Sequence, residues 1–277
     1  MVHSKFKRRN VKIIFPSLIT CFSMVAGFWS ILLSSEDKMV FAGVLILVAV
    51  ILDGIDGKVA RITNTASEFG IQLDSLSDLI AFGVAPAVLF YRYFLYNRVD
   101  QNFYYLLPVM FLLCGAIRLA RFNVTASVHG KRYFTGLPIP SAGGGLIIWI
   151  PLKDWLENCD WQSLAVYAKY LEPDVMFRFA IGLILVTSLS MVSNMKFDTF
   201  NTFWFNLYPS KYVNYVVFLF FLSFLLVHFV VFMFAIVVYY MTVMYTRGAF
   251  ESLQKRWRDS GRGSFQEIDE ETADIVE

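Results

Sequence analysis

Long apolar runs constrain this chain more than any other feature. Residues from about 16–34, 38–62, 70–96, 103–125, 137–152, 176–193, 211–227 and 229–245 form stretches close to the roughly 17–25 residues that an α-helix needs to cross about 30 Å of hydrocarbon. Within a bilayer every backbone N–H and C=O must be paired inside the protein, and a helix pairs its own. The hydrophobic content of 57% over 277 residues exceeds the roughly 45–50% usual for soluble domains. The expected fold class is therefore all-α, a polytopic membrane bundle of about eight transmembrane helices. The last two spans come from one apolar run, Tyr212 to Tyr245, too long for a single crossing at about 1.5 Å per residue and suited to a hairpin near His228.

Charge divides the chain into a basic juxtamembrane segment at 1–15, a membrane domain at 16–245 and a polar, acidic tail at 246–277, expected to be disordered. Lys5, Lys7, Arg8, Arg9 and Lys12 precede the first apolar run, as at a cytoplasmic end held against anionic lipid. The apolar stretch that follows is long and lacks an Ala-x-Ala-like end, which argues against a cleaved signal peptide. Eight spans put both termini on one side. Of the 24 Lys and Arg, only Lys38, Arg92, Arg98, Lys153, Lys169 and Arg178 then fall on the other, which makes the first side cytoplasmic. The segment 153–175, with Trp155, Trp161, Tyr167 and Tyr170 among charges, reads as interfacial on the outer side. Cys21, Cys114 and Cys159 are odd in number and have no metal-ligand spacing, so they read as packing residues. No nucleic-acid partner is expected at a net charge of +2, and no histidine has a neighbour that points to catalysis.

Four acids interrupt the second and third spans: Asp53, Asp56, Asp74 and Asp78. Ionisable groups at such depth are costly and mark function. Separations of three and four residues project each pair from one helix face. Counted at about 1.5 Å per residue from the cytoplasmic helix ends, Asp53 and Asp78 lie about 13 and 12 Å deep, and Asp56 and Asp74 about 9 and 6 Å. In an antiparallel pair the four carboxylates converge. They cannot all stay ionised unaided; two divalent cations would neutralise them, and an oxygen-only ligand set favours Mg²⁺ or Mn²⁺. A two-metal site suits displacement at phosphorus. Gly54, Gly57 and Ala60 remove bulk beside the acids, so that a nucleotide can approach the backbone, and Arg61 adds a forked donor for phosphate. Helix packing and interfacial anchoring are the plainer roles for such glycines and for an Arg at a helix end.

Asp53-x-x-Asp56-Gly57-x-x-Ala60-Arg61, eight residues, then Gly70-x-x-x-Asp74-x-x-x-Asp78 resembles the CDP-alcohol phosphatidyltransferase signature at every fixed position. The stretches Leu73 to Ala87, Gly115 to Asn123, Lys131 to Ser141 and Ser193 to Phe197 resemble the membrane-embedded phosphatidylserine synthases of bacteria and archaea. The resemblance covers about residues 10–245. It implies that the four aspartates hold two Mg²⁺ or Mn²⁺ ions, that CDP sits on the Asp53–Arg61 helix, and that Asp78 is the general base. It implies nucleotide or diphosphate contacts from Ser17 and Thr20 besides Asp53, Gly57, Ala60 and Arg61; relatives often carry Asn at position 17, where this chain keeps a hydroxyl donor. The substrates implied are CDP-diacylglycerol and L-serine in a membrane-lipid setting, the assembly a homodimer, and the location a bacterial or archaeal cytoplasmic membrane with the active site facing the cytoplasm.

Arg118, Arg121, Asn123, Lys131 and Arg132 follow the fourth span on the same side. They are candidates for the serine carboxylate or the lipid phosphate, although positive-inside topology alone would also put basic residues there. Gly136, Pro138 and Pro140 break the next helix at its start, leaving backbone groups free to line a polar cavity. An ion-coupled transporter would instead place charge near the midplane between related halves; here the acids cluster toward one face and no internal repeat is present. Other acceptors, glycerol phosphate, inositol phosphate or choline, share the signature.

Overall fold

The computed structural model describes residues 2–62, 67–96, 102–126, 133–158, 173–198, 229–231, 233–243, 245–246 and 250; for 2–15, 60–62, 102–103, 125–126, 133–135, 173 and 196–198 it describes the backbone alone. Its elements are α1 (Val2–Ser35), α2 (Met39–Ile62), α3 (Glu68–Asp78), a π-helical segment (Leu79–Val84), α4 (Ala85–Phe90), a second π segment (Tyr91–Leu95), a 3₁₀ turn (Asn102–Tyr105), α5 (Leu106–Ala126), β1 (Tyr133–Thr135), α6 (Ile139–Ile147), α7 (Trp149–Glu157), α8 (Pro173–Val192) and β2 (Lys196–Asp198). A further apolar helix covers Phe229–Val243.

Among the described residues, 5 helices are long and apolar enough to span a bilayer: Pro16–Ser35, Met39–Val59, Glu68–Leu95, Leu106–Val124 and Asp174–Val192. They match the first four expected spans and the sixth. The protein is a helical integral membrane protein. The expected count of about eight is not reached among the described residues, for reasons that differ by span. Residues 211–227 lie outside the described residues, and Phe229–Val243 is shorter than the other five. The expected span 137–152 is instead α6 and α7 meeting at Ile148. Pro151 lacks the N–H that would bond the Ile147 carbonyl one turn back, which breaks the ladder there. The bonds Ile148 N–H to Gly144 O, 3.0 Å, and Leu152 N–H to Ile148 O, 3.2 Å, keep the two pieces nearly continuous.

The helices are held by close approach and by hydroxyls. Ser23 Oγ donates to Ala49 O at 3.2 Å and Ser30 Oγ to Ala42 O at 2.8 Å, pinning α1 to α2. A Cβ on Gly27 of α1 would stand 2.5 Å from the Ala81 Cα, and one on Gly143 of α6 would stand 2.7 Å from the Phe82 carbonyl oxygen. Small residues let helices touch through their backbones in lipid, and here α1 and α6 clasp the π segment that directly follows Asp78. The core around it is apolar and fully buried: Ile46, Leu47, Phe82, Leu89, Phe90 and Ile147. Phe22, Val25 and Trp29 on α1, and Leu113 and Ile117 on α5, face outward as lipid-contacting residues do.

At one end of the bundle Arg92 caps α1, its Nε donating to Ser34 O at 3.2 Å and Nη2 to Asp37 Oδ1 at 2.7 Å. At the other end the chain makes a short ladder that adds two strands to an otherwise helical fold. Tyr133–Thr135 pairs antiparallel with Lys196–Asp198, with Phe134 opposite Phe197. Gly136, at φ +84°, turns the backbone out of the ladder, its N–H bonding Met195 O at 2.9 Å while Leu137 N–H bonds Ser190 O at 3.1 Å. The helix break expected at Gly136 and Pro138 is thus present, and α6 starts at Ile139.

Candidate active site and metal centre

α2 and α3 bring the acids together. One carboxylate oxygen from each of Asp53, Asp56 and Asp74 lies within 4.8 Å of the others. Asp78 shares a side-chain hydrogen bond with Asp53. This is the pairing that equal depth on antiparallel helices demands. Ser67 starts α3 as its N-cap, accepting the Gly70 N–H at 3.0 Å, and so sets the turn from which Asp74 and Asp78 project. Asp56 is 4% exposed and Asp78 9%, so their charge has to be met by the protein or by a ligand rather than by bulk water.

Part of that charge is met locally. Asp56 Oδ2 accepts from Thr20 Oγ1 at 2.7 Å, and the same carboxylate accepts from the Gly57 backbone N–H. The same Thr20 hydroxyl lies 3.1 Å from Pro16 O, and the Thr20 carbonyl accepts Ser77 Oγ at 3.0 Å. Arg118, 5% exposed, stands within electrostatic reach of Asp78 and Asp53, with its guanidinium carbon 6.0 Å from the Phe122 ring centre. One arginine does not balance four carboxylates. Hard oxygen donors this close together, with no nitrogen or sulfur donor among them, fit a divalent cation such as Mg²⁺ or Mn²⁺.

The remaining candidates separate by location. Gly54 is exposed, and a Cβ there would meet nothing within 4 Å, so that position is open to an approaching ligand rather than closed by helix packing. Ser17 and Gly57 are half-buried on the same helices. The side chains of Ala60 and Arg61, and all of Lys131 and Arg132, lie outside the described residues.

Arg121 turns away from the acids. Its Nη1 donates to Val192 O at 3.0 Å and Nη2 to Ser193 O at 3.1 Å and Met191 O at 3.3 Å, and Asn194 Oδ1 lies 3.4 Å from Nη1. It caps the C-terminus of α8, where carbonyls without helical partners carry partial negative charge. Asn123 ties α5 to α3, accepting from Ser75 Oγ at 3.0 Å and donating to Gln72 Oε1 at 3.3 Å. It therefore braces the turn that carries Asp74.

Two tyrosine contacts at the end of the last apolar run have no motif in the sequence to announce them. Tyr240 is buried on the last helix within electrostatic reach of Arg118, and Tyr245 Oη donates to Ser190 Oγ at 2.8 Å. The available signal was the polar tip of a Tyr inside an apolar run, which needs a partner when buried.

Comparison with known proteins bears on the same residues. The family model for CDP-alcohol phosphatidyltransferase matches residues 13–172. A CDP-diacylglycerol–serine O-phosphatidyltransferase of Helicobacter pylori strain J99 is 36% identical over 200 residues, 72% of this chain and 77% of the relative. One of the same name from Methanocaldococcus jannaschii is 37% identical over 179 residues, 60% of this chain and 80% of the relative. An archaetidylserine synthase of Methanothermobacter thermautotrophicus is 44% identical over 130 residues, 46% of this chain and 53% of the relative.

Proposed function

Because the chain belongs to the CDP-alcohol phosphatidyltransferase family, we propose that it moves the phosphatidyl group of CDP-diacylglycerol onto the hydroxyl of L-serine and releases CMP. The observation that carries this reading is the convergence of Asp53, Asp56 and Asp74 on one point, with Asp78 hydrogen-bonded beside them. Serine as acceptor is supported by the relatives, two of which are CDP-diacylglycerol–serine O-phosphatidyltransferases and one an archaetidylserine synthase.

In this reading Asp53, Asp56, Asp74 and Asp78 hold two divalent cations, Mg²⁺ or Mn²⁺, which when bound supply Lewis-acid stabilisation of charge on the diphosphate. Ser17, Gly57, Ala60 and Arg61 border the nucleotide and its phosphates. Asp78 accepts the serine hydroxyl proton, the serine oxygen forms a bond to the phosphatidyl phosphorus, and the bond from phosphorus to the CMP oxygen breaks. Arg118 offers a buried cation for the serine carboxylate or the lipid phosphate. Lys131 and Arg132 are proposed for the same anions. Arg121 and Asn123 serve that region by holding α8 and α3. No Ser, Cys or His in the sequence has a partner arrangement that points to a covalent phosphatidyl-enzyme, which supports a single displacement.

CMP release by the purified protein, given CDP-diacylglycerol and a panel of serine, glycerol phosphate, inositol phosphate and choline, tests the acceptor. Serine is expected to release CMP at least tenfold faster than the others, a difference worth about 1.4 kcal/mol of transition-state binding. Release with another alcohol and none with serine would leave the metal centre standing and sink the substrate.

The same reading puts the protein in a bacterial or archaeal cytoplasmic membrane with the acids facing the cytoplasm, as the distribution of basic residues supports. A single cysteine at position 129, in a chain without its native cysteines, is expected to stay unlabelled by an impermeant maleimide outside intact cells. Labelling there would invert the topology. The homodimer that family resemblance implies is tested by light scattering of the detergent-solubilised protein, where a monomeric mass would reject it.

A further inference from the structure

Thr20 touches both acid-bearing helices, and each contact is made by a different part of the residue. Its hydroxyl reaches across to α2 and donates to Asp56 Oδ2 at 2.7 Å. Its carbonyl oxygen accepts the hydroxyl of Ser77 on α3 at 3.0 Å, one residue before Asp78. Thr20 is 6% exposed and Ser77 2%, so both bonds are shielded from water. The Pro16 carbonyl, the i−4 neighbour, lies 3.1 Å from the same hydroxyl and is its longer second acceptor. A threonine hydroxyl has a single proton to give. While it is shared between Asp56 and Pro16, it is not available to a phosphate or a cytosine.

We propose that Thr20 is a positioning residue for the cation centre rather than a nucleotide contact: it orients the Asp56 carboxylate and, through Ser77, holds α3 at the depth where Asp74 and Asp78 meet Asp53 and Asp56. This rests on the reading of the acids as a divalent-cation site. A carboxylate held by neutral donors presents its remaining lone pairs in a fixed direction. Losing such outer partners of a metal ligand typically costs about 10–100-fold in metal affinity.

Mn²⁺ binding to the purified full chain, followed by electron paramagnetic resonance without substrate, tests the idea. Thr20→Val keeps the shape and removes the donor, and is expected to raise the Mn²⁺ dissociation constant at least tenfold. Thr20→Ser, which keeps the hydroxyl, is expected to stay within threefold of wild type. CDP binding measured at saturating Mn²⁺ is expected to stay within threefold in both variants. Thr20→Ala also lacks the donor and adds no bulk, so it supplies the measurement should Thr20→Val not survive purification. Wild-type Mn²⁺ affinity in the variants lacking the donor would overturn the inference alone, and weakened CDP binding beside it would return Thr20 to the nucleotide. A wild-type protein that binds no Mn²⁺ would overturn the cation site and this inference together.

Discussion

Replacing Asp53, Asp56 or Asp74 with Asn is expected to abolish CMP release, a loss of more than about a thousandfold, on the scale of removing a principal electrostatic stabiliser of a transition state. Asn preserves volume and one carbonyl oxygen but removes the charge, and charge is what a cation between three carboxylates needs. The oxygens of these side chains already lie within 4.8 Å of one another, so little rearrangement is required to share an ion. Each substitution should therefore weaken Mn²⁺ binding as well as turnover. The two readouts separate this explanation from simple misfolding, because size-exclusion behaviour and thermal stability in detergent should hold or improve. Removing mutual repulsion in a buried acidic cluster relieves the fold. Chelation of the wild-type protein should mimic the variants and be reversed by added Mg²⁺ or Mn²⁺. More than about a tenth of wild-type activity in any of the three would contradict the shared site, since each aspartate would then be dispensable to a centre built from its charge.

The legibility of this centre in the sequence has a physical basis. An aspartate inside an apolar run has few innocent explanations, and spacing by three and four residues fixes which face it occupies whatever the tertiary structure. Depth followed from counting at a constant rise, and the Asp53–Asp78 hydrogen bond agrees with that count. Roles set by a third element were not legible in the same way. Family resemblance implies a nucleotide contact for Thr20; its bond to Asp56 depends on how α1 leans on α2, which one helix's periodicity does not encode. Arg121 was read as an anion binder, and it does meet negative charge, but that of the α8 carbonyls. A helix C-terminus and a carboxylate attract a guanidinium for the same reason, so residue type and spacing do not tell them apart. The break at Ile148 was available from Pro151, yet hydropathy averages over such a residue and returned one span. Strands of three residues, β1 and β2, are too short for an alternating pattern to declare them.

Asp78→Asn should separate the chemistry from the binding. If Asp78 takes the serine proton, its loss is expected to lower kcat by at least about a hundredfold, the lower end of the range for a positioned general base, while CDP and Mn²⁺ binding fall far less than in Asp56→Asn. The geometry supports this difference. Asp53, Asp56 and Asp74 form the tight group of three, whereas Asp78 stands at its edge, hydrogen-bonded to Asp53 and within electrostatic reach of Arg118. A serine whose carboxylate is drawn to Arg118 would bring its hydroxyl toward Asp78, because the two protein groups are neighbours. Stereochemistry at phosphorus provides an independent check on the same step. With CDP-diacylglycerol made chiral at the transferred phosphorus, one in-line attack by serine inverts the centre, whereas a covalent enzyme intermediate formed and resolved by two attacks retains it. Inversion is expected. Net retention, or exchange of labelled CMP into CDP-diacylglycerol in the absence of serine, would require a nucleophile from the protein itself. In that case Asp78 would no longer be the base for a direct attack, and a residue of the enzyme would have to accept the phosphatidyl group before serine arrived.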